Sequence, residues 1–269
     1  MAYQYLLTEL DARGVARITL NRPEIKNAFN ELLISEIEQA VKTFGADDKV
    51  RAIVITGAGD AFSAGADLAM MKQAGKDSAS ANKQGGRHLG HMLNAIDDCA
   101  KPVIALVNGP AMGGGVGLVS AADIAIAAEE AFFALSETRL GIIPAVISPF
   151  VVRAIGVRQA SRFFLTAERF DAMKAREIGL VHMVAMGAQL EATLDGVLKN
   201  ILSCGPKALG EAKELIRRVA YRPIDDSVLE ETAGLIARLR ASDEGQEGIS
   251  AFLEKRKPAW VAAAKKDDA

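Results

Sequence analysis

Two glycine-rich segments carry residue types that could stabilise negative charge through the backbone. One reads AFSAGADL at residues 61–68 and the other AMGGGVGL at residues 111–118, and each follows a hydrophobic segment typical of a buried strand. A glycine lets a ligand approach a backbone N–H closely because no Cβ stands in the way. Two such loops can therefore point two N–H groups at one carbonyl oxygen, which is an oxyanion hole. Tight packing between strand and helix explains the glycines equally well.

Glu137 is the strongest candidate for an acid or base. It lies in the segment LSETRLGIIP, residues 135–144, just past a predicted strand and with apolar residues on both sides. A carboxyl group in such surroundings can have a raised pKa and act in proton transfer. An exposed cap at the end of a strand is the other interpretation, and the sequence favours neither.

Other chemistry-bearing residues lack partners in the sequence. His88 and His91 are three residues apart on a predicted helix, but a metal site needs at least a third ligand. His182 begins a short predicted strand, which favours a structural role. Ser63 and Ser120 lie near the glycine loops, yet no histidine is placed nearby to activate either hydroxyl.

The composition excludes several classes of protein. Half of the 269 residues are hydrophobic and the formal net charge is −2, so a large core can form and no basic face for nucleic acid is indicated. Cys99 and Cys204 suggest neither a disulfide framework nor a zinc site. Residues 102–122 have the length of a membrane span, but the turn at residues 108–110 interrupts it. The first residues do not resemble a secretion signal, so we expect a cytoplasmic protein with no membrane partner.

The elements that must position these residues form a repeated pattern. A hairpin at residues 6–20 is followed by a helix that Asn30 should cap, and then by a unit of strand, glycine loop, helix and strand that occurs twice. In each unit the strand leads directly into a glycine loop. Helices are predicted at residues 117–122, 148–155, 158–164, 190–202, 206–219, 225–239 and 243–255.

Several motifs together resemble the crotonase family of enoyl-CoA hydratases and isomerases. They are LNRPEIKNAF, AFSAGADL, KPVIALVNGPAMGGGVGL, ADIAIAAEEAFFALSETRLGIIP, LTAERFDAMKAREIGLV and FLEKRKP, in the family's order and over nearly the whole chain. The resemblance implies an α/β fold, a spiral of repeated ββα units with a helical C-terminal section. We expect residues 1–200 to form the core and residues 201–269 to take part in packing a homotrimer, or a hexamer made of two trimers.

The resemblance also implies an acyl-CoA substrate and no further cofactor or metal. The thioester oxygen would accept hydrogen bonds from the backbone N–H groups of Ala66 and Gly114, with Glu137 as the acid and base. Phe252 and Lys255 would reach the CoA of a neighbouring subunit, and Ala69 replaces a lysine that is usual in the first loop. The residues expected to contact substrate are Ala28, Ala64, Asp67, Leu68, Gly117, Ala145, Phe252 and Lys255.

The chain departs from the family at the position of a first glutamate. Family hydratases commonly hold a water between two glutamates, and here the first position is Gly117, while Ala145 replaces a usual glycine. Three functions therefore stay open: a hydratase, an isomerase that uses Glu137 alone, and an acyl-CoA-binding protein without activity.

The details of the sequence resemble methylglutaconyl-CoA hydratases of leucine breakdown and related branched glutaconyl-CoA hydratases. Their substrates carry a second carboxylate. Arg139 or Arg153 could pair with that carboxylate, although both could equally be surface residues. We expect the space beside Gly117 to receive the branched acyl group.

Overall fold

The computed structural model describes residues 3–262, with the side chains at positions 68, 187 and 262 left out. The strands are β1 (Leu6–Leu10), β2 (Val15–Leu20), β3 (Ala52–Gly57), β4 (Val103–Val107), β5 (Ala111–Met112), β6 (Ile124–Ala128), β7 (Phe132–Ala134), β8 (Arg169–Asp171) and β9 (Met183–Ala185). The helices are α1 (Glu31–Ala46), α2 (Leu68–Ala74), α3 (Ala79–Asp97), α4 (Gly114–Ala121), α5 (Ser148–Thr166), α6 (Ala172–Glu177), α7 (Leu190–Ser203), α8 (Pro206–Val219), α9 (Asp226–Ala241), α10 (Asp243–Leu253) and α11 (Ala259–Ala262).

The main sheet is parallel except at one edge. Its strand order is β1-β2-β3-β4-β6-β9, and only the hairpin partners β1 and β2 run antiparallel. Every residue of β3 and β4 is buried, as expected for parallel strands covered on both faces. The predicted hairpin and both buried strands are confirmed.

The two faces of the sheet bury different helices. On one face Ile55 belongs to a large core with Leu33 of α1 and Leu93 of α3. On the other face Val54 packs in a smaller core with Leu198 of α7. Neighbouring residues of β3 alternate between the two cores because strand side chains point to opposite faces.

A second sheet has three short strands in the order β5-β7-β8. Because β5 follows the end of β4 and leads into α4, this small sheet fixes the second glycine loop. The mixed α/β fold with a helical C-terminal section is confirmed. The predicted domain boundary at residue 200 falls inside α7, which packs on the main sheet.

Local chemistry explains most helix boundaries, with two differences from prediction. The Asn30 side chain accepts a hydrogen bond from the Leu33 N–H and caps α1 as predicted. Helix α4 begins at Gly114, three residues earlier than the apolar pattern indicated. Helix α5 runs through Gly156, which has non-helical backbone angles, so the two predicted helices are joined across a kink. Among the described helices, none combines the length and apolar character that crossing a bilayer requires.

Candidate active site

The first glycine loop turns the Ala66 N–H away from the neighbouring segment around Phe29. Phe29 N–H donates to the Gly65 carbonyl at 2.6 Å and Asp67 N–H donates to the Phe29 carbonyl at 2.9 Å. In this parallel bridge the residue between, Ala66, points its own N–H in the opposite direction. Gly65 has a φ of +85°, and a Cβ there would lie 2.7 Å from the Met112 carbonyl oxygen, so the position requires glycine.

The second glycine loop presents the start of α4. The Gly113 N–H donates to the Ala134 carbonyl at 2.9 Å, and Gly114 is the first residue of the helix. The Gly114 nitrogen lies 3.4 Å from the place that a Cβ on Gly65 would occupy, so the two loops are in close contact. Among the hydrogen bonds of the described residues, neither Ala66 nor Gly114 donates its N–H to a protein acceptor. The helix dipole adds to the positive potential at the Gly114 N–H.

Both N–H groups face a cavity of about 320 Å³ with mostly apolar walls. Glu137 is the one ionisable side chain among the described residues that line it. Leu140 and the loop before α5 form one wall, α2 and α3 contribute another, and the two glycine loops form the floor. The apolar wall residues are Phe29, Ile34, Met70, Met71, Leu89, Leu140, Ile142, Ile143, Pro144, Ala145, Val146 and Ile147.

The Glu137 carboxyl group lies at the cavity and is half-buried. Glu137 begins a short 3₁₀ helix, Glu137–Leu140, and its Oε1 lies 3.0 Å from the place of a Cβ on Gly113. Its Oε2 is buried and has no hydrogen-bond partner in the described part of the chain. Burial raises the pKa of Glu137, and a hydrogen bond from its own backbone N–H opposes that rise in pKa. The acid/base interpretation therefore has a physical basis that an exposed cap would lack.

A buried cation supports the first glycine loop from behind. Arg22 donates from Nη1 to the Ala28 carbonyl at 2.7 Å and from Nη2 to Asp67 Oδ2 at 3.0 Å. Its guanidinium also lies over the Tyr5 ring, 4.6 Å from the ring centre. The arrangement fixes the two chain segments on either side of the Ala66 N–H.

Comparison with known proteins decides the family. The chain matches the family described as enoyl-CoA hydratase/isomerase over residues 11–263. This protein belongs to the crotonase family.

A crotonyl-CoA hydratase from Syntrophomonas wolfei is 34% identical over 264 residues, which cover 97% of this chain and 100% of that protein. A crystal structure of an enoyl-CoA hydratase from Shewanella pealeana matches with a TM-score of 0.92 and 42% identity over 96% of each chain. Pseudomonas aeruginosa AtuE matches with a TM-score of 0.91 and 40% identity, over 96% of this chain and 100% of AtuE. The two solved structures share their fold with this chain.

Five of the eleven predicted site residues of this crotonase meet at the cavity. Those that line it are Ala64, Ala66, Gly114, Glu137 and Ala145. Ala28 and Asp67 lie behind the loop on Arg22 instead. Phe252 and Lys255 are exposed at the end of α10 and do not line the cavity of their own chain. The Leu68 side chain lies outside the described part, so its predicted contact stays a prediction.

The expectation of open space beside Gly117 is wrong. Gly117 is buried in α4 and does not line the cavity among the described residues. A Cβ on Gly117 would lie only 2.5 Å from Ile147 Cγ2, so the space beside the glycine is already filled. Ile147, and not Gly117, therefore lines the cavity at this point.

The two candidate arginines differ in their surroundings. Arg153 is held by Asp97 in a bidentate ion pair with distances of 3.0 and 2.5 Å, away from the cavity. This position favours the surface interpretation of Arg153 over a contact with a substrate carboxylate. Arg139 is exposed, has no side-chain partner within the described residues, and directly precedes Leu140 of the cavity wall.

Two of the three histidines have a hydrogen-bond partner in the described part of the chain, and these are His88 and His182. His88 contacts Gln84 one turn earlier on α3, and no group of three possible metal ligands exists among the described residues. His182 accepts the Ala125 N–H on its Nδ1 at 3.1 Å, which ties β9 to β6. Arg22 and Ile147 were not predicted from the sequence, because Asp67 and Gly117, with which they pair and pack, are distant in sequence.

Proposed function

We propose that this crotonase is an enoyl-CoA hydratase that adds water across the double bond of a 2-enoyl-CoA thioester. One observation carries the proposal: two backbone N–H groups without protein acceptors face a cavity in which Glu137 is the only ionisable side chain described. The name of the Syntrophomonas wolfei relative, crotonyl-CoA hydratase, supports the same reaction.

The geometry supports a simple sequence of proton transfers. The thioester oxygen accepts hydrogen bonds from Ala66 and Gly114, which stabilise negative charge on that oxygen as the enolate forms. The Glu137 carboxylate takes a proton from a water molecule whose oxygen bonds to C3. The resulting carboxylic acid then returns that proton to C2, so a water molecule is added and the enzyme is unchanged.

An isomerase is the second candidate, because a single carboxylate is sufficient for it. Glu137 would remove a proton from C2 of a 3-enoyl-CoA and deliver it to C4. Ultraviolet absorbance of the conjugated thioester separates the two reactions. Loss of absorbance from a 2-enoyl-CoA supports hydration, and its appearance from a 3-enoyl-CoA supports isomerisation. Binding of both esters without either change would support an acyl-CoA-binding protein.

Within the hydratase proposal, a branched glutaconyl-CoA ester is the finer candidate. The apolar cavity walls suit the branched carbon skeleton, and Arg139 at the rim offers a guanidinium group to a distal carboxylate. We expect Arg139→Ala to raise KM for 3-methylglutaconyl-CoA. KM for 3-methylcrotonyl-CoA, whose acyl group has no carboxylate, should not change. Equal changes for both esters would argue against a carboxylated substrate.

We further propose that the CoA site is completed in a homotrimer or a hexamer. Phe252 is 82% exposed in the single chain, and Ile216 and Ile224 are also largely exposed. Large exposed apolar side chains on α8, on α10 and in the connection after α8 support subunit packing. Sedimentation velocity tests the proposal, and a purely monomeric active enzyme would overturn it.

A further inference from the structure

A glycine and an isoleucine are packed together where the cavity wall meets α4. The Ile147 side chain is 3% exposed, and its Cγ2 and Cβ lie 2.5 and 3.0 Å from the place of a Cβ on Gly117. Contact distances this short exclude any larger residue at position 117 unless Ile147 moves. Ile147 can therefore reach the helix backbone because Gly117 has no side chain.

The backbone of Ile147 is anchored as well. Its carbonyl accepts the N–H groups of Phe150 and Val151, both at 3.1 Å, at the start of α5. The position of this side chain is thus fixed from two directions, by α5 and by α4.

Ile147 and Glu137 are neighbours along α4. Glu137 Oε1 lies against Gly113, the residue before the helix, and the Gly117 N–H donates to the Gly113 carbonyl at 3.1 Å. Four residues of helix correspond to about 6 Å along its axis. The Ile147 contact with α4 therefore lies one turn beyond the Glu137 contact, and both side chains line the same cavity.

We infer that Ile147, which packs against Gly117, is a specificity-determining residue that provides an apolar wall for the substituent on C3, the β-carbon of the acyl group. This inference rests on the proposed hydratase function, in which Glu137 acts between C2 and C3. A second apolar group on C3 packs against Ile147 and excludes water there. A substrate with a single substituent leaves that wall in contact with water.

A matched pair of substitutions separates the polarity of the wall from its shape. Ile147→Val and Ile147→Thr have side chains of nearly the same size, and only the threonine adds a hydroxyl. The quantity to measure is kcat/KM for 3-methylcrotonyl-CoA divided by kcat/KM for crotonyl-CoA. We expect this ratio to be about tenfold lower in Ile147→Thr than in Ile147→Val, because the second methyl group desolvates the hydroxyl.

A second experiment tests the dependence on Gly117. Gly117→Ala should lower both the Tm and the ratio, since its methyl group displaces Ile147. Adding Ile147→Ala to Gly117→Ala should recover part of the lost Tm. Ile155→Ala is the control, because it deletes the same side chain from the core of α5 without touching the cavity. It should lower the Tm and leave the ratio unchanged.

The outcomes distinguish failure of the proposed hydratase function from failure of the inference about Ile147. If the wild-type protein hydrates neither of these esters nor 3-methylglutaconyl-CoA, the proposed function fails and the wall inference fails with it. If the wild type hydrates esters but Ile147→Thr and Ile147→Val share one ratio, the inference alone is overturned. A ratio that moves equally in Ile155→Ala would also overturn it, since general loosening of the fold would then explain the change.

Discussion

Arg22 and Asp67 form an ion pair directly behind the Ala66 amide, with Nη2 3.0 Å from Oδ2 and side-chain exposures of only 10% and 14%. Asp67 also accepts the Ala69 N–H and so caps α2. One carboxylate therefore joins the guanidinium, the start of α2 and the oxyanion loop. The Arg22 Nε is buried without a partner among the described residues. The ion pair with Asp67 is therefore the main interaction that stabilises the buried positive charge.

Asp67→Ala should strongly destabilise the fold and lower activity. Removing one partner of a buried pair leaves an uncompensated charge, at a cost of about 3–5 kcal/mol in the free energy of unfolding. Urea unfolding measures this loss. Glu191→Ala is the control, because it removes the exposed partner of Arg17 and should cost less than about 1 kcal/mol. Equal losses in the two variants would contradict a supporting role for the Arg22–Asp67 pair.

Glu137→Gln should retain the fold and CoA binding but lose most turnover. The amide is nearly the same size as the carboxyl group, and only proton transfer is removed. General acid and base catalysis contributes about 10²–10⁴-fold, and a sole acid/base should lie near the top of that range. Steady-state kcat on crotonyl-CoA measures the effect. A variant that keeps more than about a tenth of the wild-type rate would exclude Glu137 from the mechanism.

The sequence alone predicted the elements that depend on local chemistry. The Asn30 cap, the β1–β2 hairpin and the C-terminal helices follow from capping residues, turns and periodicity, which act over a few residues. The role of Glu137 could not be decided in this way, because residues that are distant in sequence, such as Gly113 and Leu89, surround its carboxyl group in the folded chain.

The contact between Gly117 and Ile147 shows more clearly which features cannot be predicted from a sequence. A glycine in a sequence indicates that a side chain is absent, but not what occupies the space. Comparison with a two-glutamate site suggested room for substrate, whereas tertiary packing fills that room with Ile147. The same limit applies to Arg22, whose partners Ala28 and Asp67 come together only in the folded chain.

The pH dependence of stability should report the titration of the half-buried Glu137. Burial raises its pKa above the usual 4.5, so the native state holds this proton more tightly than the unfolded chain does. The free energy of unfolding must then fall as pH rises from near 4.5 to the native pKa. Glu137→Gln lacks this loss, so its stability relative to wild type should increase across the same interval. Parallel stability curves from urea unfolding at each pH would show that Glu137 is not perturbed.

Gly114→Pro, compared with Gly114→Ala, should isolate the second oxyanion donor. A Cβ at Gly114 would lie 3.0 Å from the Phe29 ring, so both substitutions press on that ring. Only proline removes the N–H, and the first position of a helix accepts proline. The loss of one oxyanion donor typically lowers kcat about 10²–10³-fold, and we expect the proline variant to fall below the alanine variant by that factor. Similar kcat values in the two variants would mean that this N–H does not bind the thioester oxygen.

Lys255 tests the proposed reach of one subunit to the CoA of another. It follows α10 with a φ of +55°, and its backbone N–H donates to the Phe252 carbonyl at 3.2 Å, so the exposed lysine and phenylalanine are held close together. Since Ala69 supplies no cation in the first loop, Lys255 should carry more of the attraction to the CoA phosphates. We expect Lys255→Ala to raise KM for acyl-CoA, to leave kcat unchanged and to weaken the salt dependence of KM, because exposed charges are screened by salt. Lys257→Ala, which removes another exposed lysine nearby, is the matched control and should change KM less. Identical KM values for Lys255→Ala and wild type at low salt would place the CoA phosphates elsewhere.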